Sequence, residues 1–130
     1  MVIGNGIITG FLKLSLALQS VESTLNQVAE ALQKGNAALL SDFFATQVEI
    51  YLSPSPRIYS KVQAKYVMQE FFQKNPPISF TLLHKGRSED LIYAIGSYVS
   101  QQGRWDVSFF ARFHQGRYVI EQLRFESIGG

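Results

Sequence analysis

Cysteine is absent from this 130-residue chain. Its absence excludes disulfides, thiolate nucleophiles and zinc–cysteine centres, and leaves the redox compartment open. Histidine occurs only at His84 and His114. Neither belongs to a His-x-His, His-Glu-x-x-His or Ser-His-Asp pattern, so no metal site is expected. No Gly-x-Gly-x-x-Gly or phosphate-loop motif occurs, and no cofactor is expected. Charge is sparse: charged residues make up 17% of the chain, the net charge is +2, and the signs alternate. Weak basicity without a recognition motif argues against nucleic acid as a partner. The longest apolar run, IITGFLKLSLAL over residues 7–18, is too short and too interrupted by Lys13 for a membrane-spanning helix. It is similar to the apolar region of a secretory signal, although no Lys or Arg precedes it and no Ala-x-Ala follows. Two readings of residues 1–20 stand. One is a signal-peptide remnant, which implies an exported, periplasmic or extracellular protein. The other is an amphipathic leading segment, which leaves a cytoplasmic setting open.

What remains is rich in hydrophobic residues, at 46%, with ten Phe, six Tyr and one Trp. That composition supports a single globular domain over residues 21–130 with an aromatic core or cavity. In VESTLNQVAEALQK, residues 21–34, Val21, Leu25, Val28 and Leu32 form one helical stripe. Gly35 ends that helix, and Asn36 caps a short second one over AALLSDFF. QVEIYLS reads as a strand, broken by Pro-Ser-Pro before a short return at RIY. Ser60 and Gln63 form a capping box. Ala64, Val67, Met68, Phe71 and Phe72 give the third helix its apolar face, which Pro76 and Pro77 terminate. ISFTLLHKG, LIYAIGSYVS, RWDVSFFARF and RYVIEQLRFE then read as antiparallel strands. The order predicts an α+β domain with helices on one face of a curved sheet.

Two near-identical phrases, QQGRW (101–105) and HQGRY (114–118), separate the last three strands. Each reads as a hairpin turn rather than a nucleic-acid-binding tip, with Arg104 and Arg117 starting strands beside it. Taking each Gly as the third residue of a three-residue loop pairs Val99 with Trp105, Ser97 with Val107, Ile95 with Phe109 and Tyr93 with Ala111. On the other face, Tyr98 meets Asp106 and Ala94 meets Phe110. In the second hairpin the same rule pairs Ala111 with Val119, Val107 with Leu123 and Trp105 with Phe125. A two-residue loop at Gln115-Gly116 would set Val107 against Arg124, so the three-residue loop is preferred. Its cost is Glu121 opposite Phe109 on the apolar face. That implies either a bulge or a carboxylate lining a cavity.

This register generates the candidate sites. Tyr93, Ser97, Trp105, Phe109 and Glu121 line the inner face and are the pocket candidates, suited to a small apolar ligand. The plainer reading places Tyr93 in a core hydrogen bond and Glu121 at the rim. A buried Glu121 would have a raised pKa and serve as a general acid or base. The outer face collects Ile92, Tyr98, Phe110, Arg112, Tyr118 and Ile120, with Asp106 and Arg124 among them. It is the candidate surface for a two-fold homodimer, or else a set of scattered surface aromatics.

The segments ALQKGNAALLSDFF, IYSKVQAKYVMQEFFQKNPPISFTLLHKG, YAIGSY and YVIEQLRFE resemble an uncharacterised bacterial family, a domain of unknown function. That family lies within the nuclear-transport-factor-two-like, or cystatin-like, superfamily. The resemblance covers about residues 21–126, with FFQKNPP…F.LLHKG its most specific part. It implies a cone-shaped curved antiparallel sheet packed on about three N-terminal helices, a pocket between helices and sheet, frequent dimerisation, and export. It implies no established reaction, and no catalytic residue carries over, because the fold hosts many functions. The leading expectation is a non-catalytic domain that binds a small apolar ligand or a protein partner and dimerises through its sheet. The rival is a small lyase or isomerase using Glu121 or Asp42 with a tyrosine. A third is a purely structural interaction module.

Overall fold

A computed structural model describes residues 20–129. The readings of residues 1–20 therefore fall, apart from Ser20, outside the described residues. The first helix, α1, covers residues 20–34 of the described chain. Its stripe is buried at Leu25, Val28, Ala31 and Leu32. Gly35 takes φ +63, which glycine adopts without Cβ strain, and the Asn36 amide reaches back to the Ala31 carbonyl at 2.9 Å. Asn36 then caps α2 (Ala37–Ser41) by accepting from the Leu39 amide at 3.0 Å. This helix is shorter than its apolar sequence suggests, because Phe44 already starts β1 (Phe44–Leu52).

β2 (Ser55–Ser60) returns antiparallel to β1 and runs directly into α3 (Lys61–Lys74). The expected capping box is present. Ser60 Oγ accepts from the Gln63 amide at 3.2 Å, and Gln63 Oε1 accepts from the Ser60 amide at 3.1 Å. Ala64, Met68, Phe71 and Phe72 form the buried face of α3. After Pro76 come β3 (Pro77–Ser88), β4 (Leu91–Ser100), β5 (Gly103–His114) and β6 (Arg117–Ile128).

The six strands form one sheet in the order β2-β1-β6-β5-β4-β3. Two expectations are corrected here. The sheet is open and not the curled cone expected, since β2 and β3 are free edges at opposite ends. Nor is it purely antiparallel: β1 runs parallel to β6, and every other neighbouring pair is antiparallel. The parallel contact sets the first strand in sequence alongside the last, with β2 forming the edge beyond it. The α+β class and the three helices stand.

Register is the second correction. The β4–β5 turn has a two-residue loop, Gln101-Gln102, with Ser100 opposite Gly103. Ser100 Oγ accepts from the Gln102 amide at 3.3 Å and steadies it. Relative to the three-residue expectation, β4 slips by one residue and exchanges faces. Tyr98 now faces Trp105, Gly96 faces Val107 and Ala94 faces Phe109. The β5–β6 hairpin also takes the two-residue loop, Gln115-Gly116, with φ +51 and +86. Positive φ at both central residues is the turn whose twist matches two antiparallel strands.

The apolar mismatch that argued against this loop is removed further on. Ala111 pairs with Ile120, but Phe110 pairs with Gln122, so Glu121 is the extra residue of a β-bulge. Tyr118 and Ile120 point inward before the bulge, and Leu123 and Phe125 after it.

Gly96 faces the core on β4. A Cβ there would lie 2.4 Å from Phe80 Cζ and 2.7 Å from the Thr81 carbonyl oxygen. The oxygen belongs to a paired strand and has little room to yield. Gly96→Ala is expected to destabilise the fold by about 1–3 kcal/mol through overpacking, read as a lowered urea midpoint with an unchanged slope.

Candidate functional site

The space between helices and sheet is filled. Phe44, Tyr98, Phe109 and Phe125 are all nearly fully buried. Phe71 of α3 sets its ring 4.7 Å from Phe125, 5.2 Å from Trp105 and 5.7 Å from Tyr98, centroid to centroid. Of the five pocket candidates, Trp105 and Phe109 face this interior and serve as packing. Tyr93 and Ser97 lie on the opposite face, because of the β4 slip. Glu121 lies on the bulge with its side chain turned to solvent and ion-paired to Arg112 at 3.1 Å. The structure does not bring these five together.

Tyr98 is the buried polar residue that the expected register had placed outside. Its hydroxyl donates to the Asn75 carbonyl at 2.5 Å, tying β4 to the end of α3. Burial pushes its pKa well above the ordinary value of 10.0. A phenol so held is a structural donor, with no carboxylate bonded to it. Asp42 and Glu121, the carboxylates of the enzyme alternative, are both exposed, and among the described residues neither bonds a tyrosine hydroxyl.

The outer face differs from the expected one in the same way. Ile92, Tyr98, Tyr118 and Ile120 are buried in the core, while Phe110 and Arg112 remain outside. The actual row across the uncovered face runs Ile58, Glu49, Gln122, Phe110, Tyr93 and Gly86. Tyr93 lies over Gly86, where a Cβ would come within 2.2 Å of its ring. The next row includes Tyr51, Arg124, Ser108 and Ile95, with the Arg124 guanidinium 4.3 Å above the Tyr51 ring. Phe110, Tyr93 and Ile95 are 37%, 38% and 39% exposed.

A charged notch opens where β1 and β6 diverge. Between Phe44 and Glu49, β1 spends four residues, while β6 spends only Glu121 between Ile120 and Gln122. β1 therefore arches off its neighbour. The resulting concavity, about 410 Å³, is lined by Lys61, Arg112, His114, Arg117 and Glu121 around Phe44, Ala45 and Val119. Arg112 is spoken for by Glu121 and by Asp90 at 3.2 Å. Arg117 is held by donation to the Asp42 carbonyl and by stacking 5.6 Å over Phe43. Sequence reasoning missed Lys61 altogether. The strand at RIY and the cap at Ser60 placed it at the start of α3, but its meeting with Arg117 depends on the β1–β6 contact, which no local pattern signals. Among the described residues there is no group of acidic and histidine side chains fit to hold a metal ion, and no helix is long and apolar enough to cross a membrane.

A family model described as "Domain of unknown function (DUF4783)" matches residues 25–126. Two crystal structures of DUF4783 family proteins are similar to this chain. The one from Bacteroides ovatus is 28% identical, covers 80% of this chain and 94% of its own, and has a TM-score of 0.77. The one from Bacteroides uniformis is 26% identical, with 81% and 97% covered and a TM-score of 0.78. An NTF2-like protein of unknown function from Shewanella baltica is 12% identical, with 89% and 97% covered and a TM-score of 0.68, a likeness of fold alone. Among curated proteins, none matches the chain.

The buried phenol sets an alkaline limit. In the unfolded chain Tyr98 ionises near its ordinary pKa of 10.0, whereas the folded state keeps it protonated to higher pH. Above that point the folded state holds more protons than the unfolded one, so stability falls as pH rises. The contribution is fully present below pH 10. Tyr98→Phe is expected to weaken that alkaline loss and, at neutral pH, to cost about 1–3 kcal/mol by stranding the Asn75 carbonyl. Urea unfolding of both proteins at pH 7 and above pH 10 measures the two effects.

Proposed function

The chain belongs to the DUF4783 family, on a nuclear-transport-factor-two-like fold, and we propose that it is a non-catalytic module that associates with a second copy of itself through its uncovered sheet face. The observation that carries this reading is the exposed apolar pair Tyr93 and Phe110, with Ile58 beyond Gln122 and Glu49 in the same row, on a face that none of the described helices covers. A filled interior supports a binding surface in preference to an internal ligand. The face also carries both signs of charge, with Glu49 and Asp106 against Arg124 and Arg112. A two-fold contact needs such a self-complementary patch, since each residue meets the same surface on its partner. The apolar run over residues 7–18 supports an exported setting, which fractionation of cells expressing the full chain tests directly.

Phe110 is exposed, so a charge placed there leaves the core untouched and is buried twice in a two-fold interface. Phe110→Asp is expected to weaken self-association by about 100-fold or more, with the thermal midpoint of the dilute protein little changed. Light scattering across a concentration series reads this. A wild-type chain that stays strictly monomeric at millimolar concentration overturns the proposal.

A further inference from the structure

The notch between β1 and β6 adjoins the uncovered face, sharing Arg112 with it, and has a different chemistry. Three permanent cations line it, Lys61, Arg112 and Arg117, against one carboxylate, Glu121. Arg112 already serves Glu121 and Asp90. Lys61 and Arg117 have no carboxylate within ion-pair distance among the described residues. They also stand on the rim shared with an adjoining concavity lined by Thr24, Gln27, Leu39, Phe43 and the Asp42 carboxylate. The Arg117 guanidinium is fixed by the Asp42 carbonyl and the Phe43 ring, which uses one of its five N–H donors and leaves the fork pre-oriented. Beside these cations the lining is mixed: Ala45 and Val119 are its apolar part, with Phe44 buried behind them, and Thr46 and Gln115 are polar. The volume, about 410 Å³, suits a molecule of ring size with a single charged head.

We propose that this notch binds a small organic carboxylate, its head held by Lys61 and Arg117 and its apolar body seated on Ala45 and Val119. Arg–carboxylate pairing is the geometry that a planar fork serves best, and Lys adds a mobile point charge beside it. Glu121 opposes an incoming anion, and its bond to Arg112 draws that charge aside without removing the other two.

Benzoate is the probe, titrated into the full chain and followed by amide chemical shifts, with inorganic phosphate as a second arm. Saturable shifts confined to residues 44–46, 61 and 112–121 are expected. Lys61→Ala should weaken benzoate binding about tenfold, the worth of one charge-assisted contact. Lys61 is exposed, so this variant keeps the fold. Arg117→Ala should weaken binding at least as much, and Glu121→Gln should tighten it. Shifts elsewhere, benzoate affinity unchanged in Lys61→Ala, or phosphate binding as tightly as benzoate each overturn the assignment.

Discussion

Strand β6 has to bury two sets of apolar side chains that are out of phase. Tyr118 and Ile120 share one parity, Leu123 and Phe125 the other, and a regular strand turns alternate residues to opposite faces. One additional residue, Glu121, resolves the conflict by letting the strand change face in mid-course. All four side chains then reach the core. The bulged residue is put outside, where a carboxylate is soluble and Arg112 is in reach. The same irregularity faces the stretch where β1 leaves β6, so one insertion completes the hydrophobic core and opens the charged notch beside it. Removing the bulge while keeping the turn would expose Leu123 and Phe125, each worth about 1.5–3 kcal/mol when buried.

Completing the core has a cost for ligand chemistry. Phe71 packs against Phe125, Trp105 and Tyr98 in edge-on and tilted arrangements, and Tyr98 also meets Phe125 at 5.6 Å. Such ring pairs each contribute about 0.5–1.5 kcal/mol beyond the area they bury. A fold of this class that binds ligands internally needs that volume empty. Here the aromatics occupy it, and the one buried hydroxyl among them is committed to a backbone carbonyl. Polar groups able to engage another molecule therefore lie at the surface and not in the interior.

The sequence disclosed the elements well and their pairing poorly, for identifiable reasons. Helix ends are local: Gly35, Asn36, the Ser60–Gln63 box and Pro76-Pro77 each act within a turn of chain, and all four lie where expected. Register depends on a turn plus every bulge beyond it. The rejected two-residue loop at Gln115-Gly116 was judged on Val107 against Arg124, a pairing that the bulge at Glu121 later undoes. The expected clash of Glu121 with Phe109 was the visible trace of that bulge. In the β4–β5 hairpin no such trace existed, since Tyr93, Ile95 and Val99 are as apolar as Ile92, Ala94 and Tyr98. Both faces of β4 read as core, and what separates them is tertiary: Phe80 packed against Gly96, and Tyr98 bonded to Asn75 and packed on Phe71. The parallel β1–β6 contact, some 70 residues apart in sequence, has no local signature.

The edges of the sheet favour its face as the site of the proposed association. β2 is short and carries Pro56, which offers no N–H to an added strand. β3 is long, but its ladder shifts between Leu82 and His84 and again near Pro77, and Lys85 and Arg87 stand along it. Bulges, proline and basic side chains are the means by which edge strands resist further pairing. Both edges are thus guarded against growth by strand addition, which would otherwise build open-ended assemblies. The central strands carry no such guard. Among their outward residues, Phe110, Tyr93 and Ile95 are apolar where a solvated sheet would place polar side chains, beside the polar Asp106, Ser108, Gln122 and Arg124. A sheet protected at its edges and bare on one face admits a contact that closes on itself, and a two-fold pair is the smallest assembly that does so.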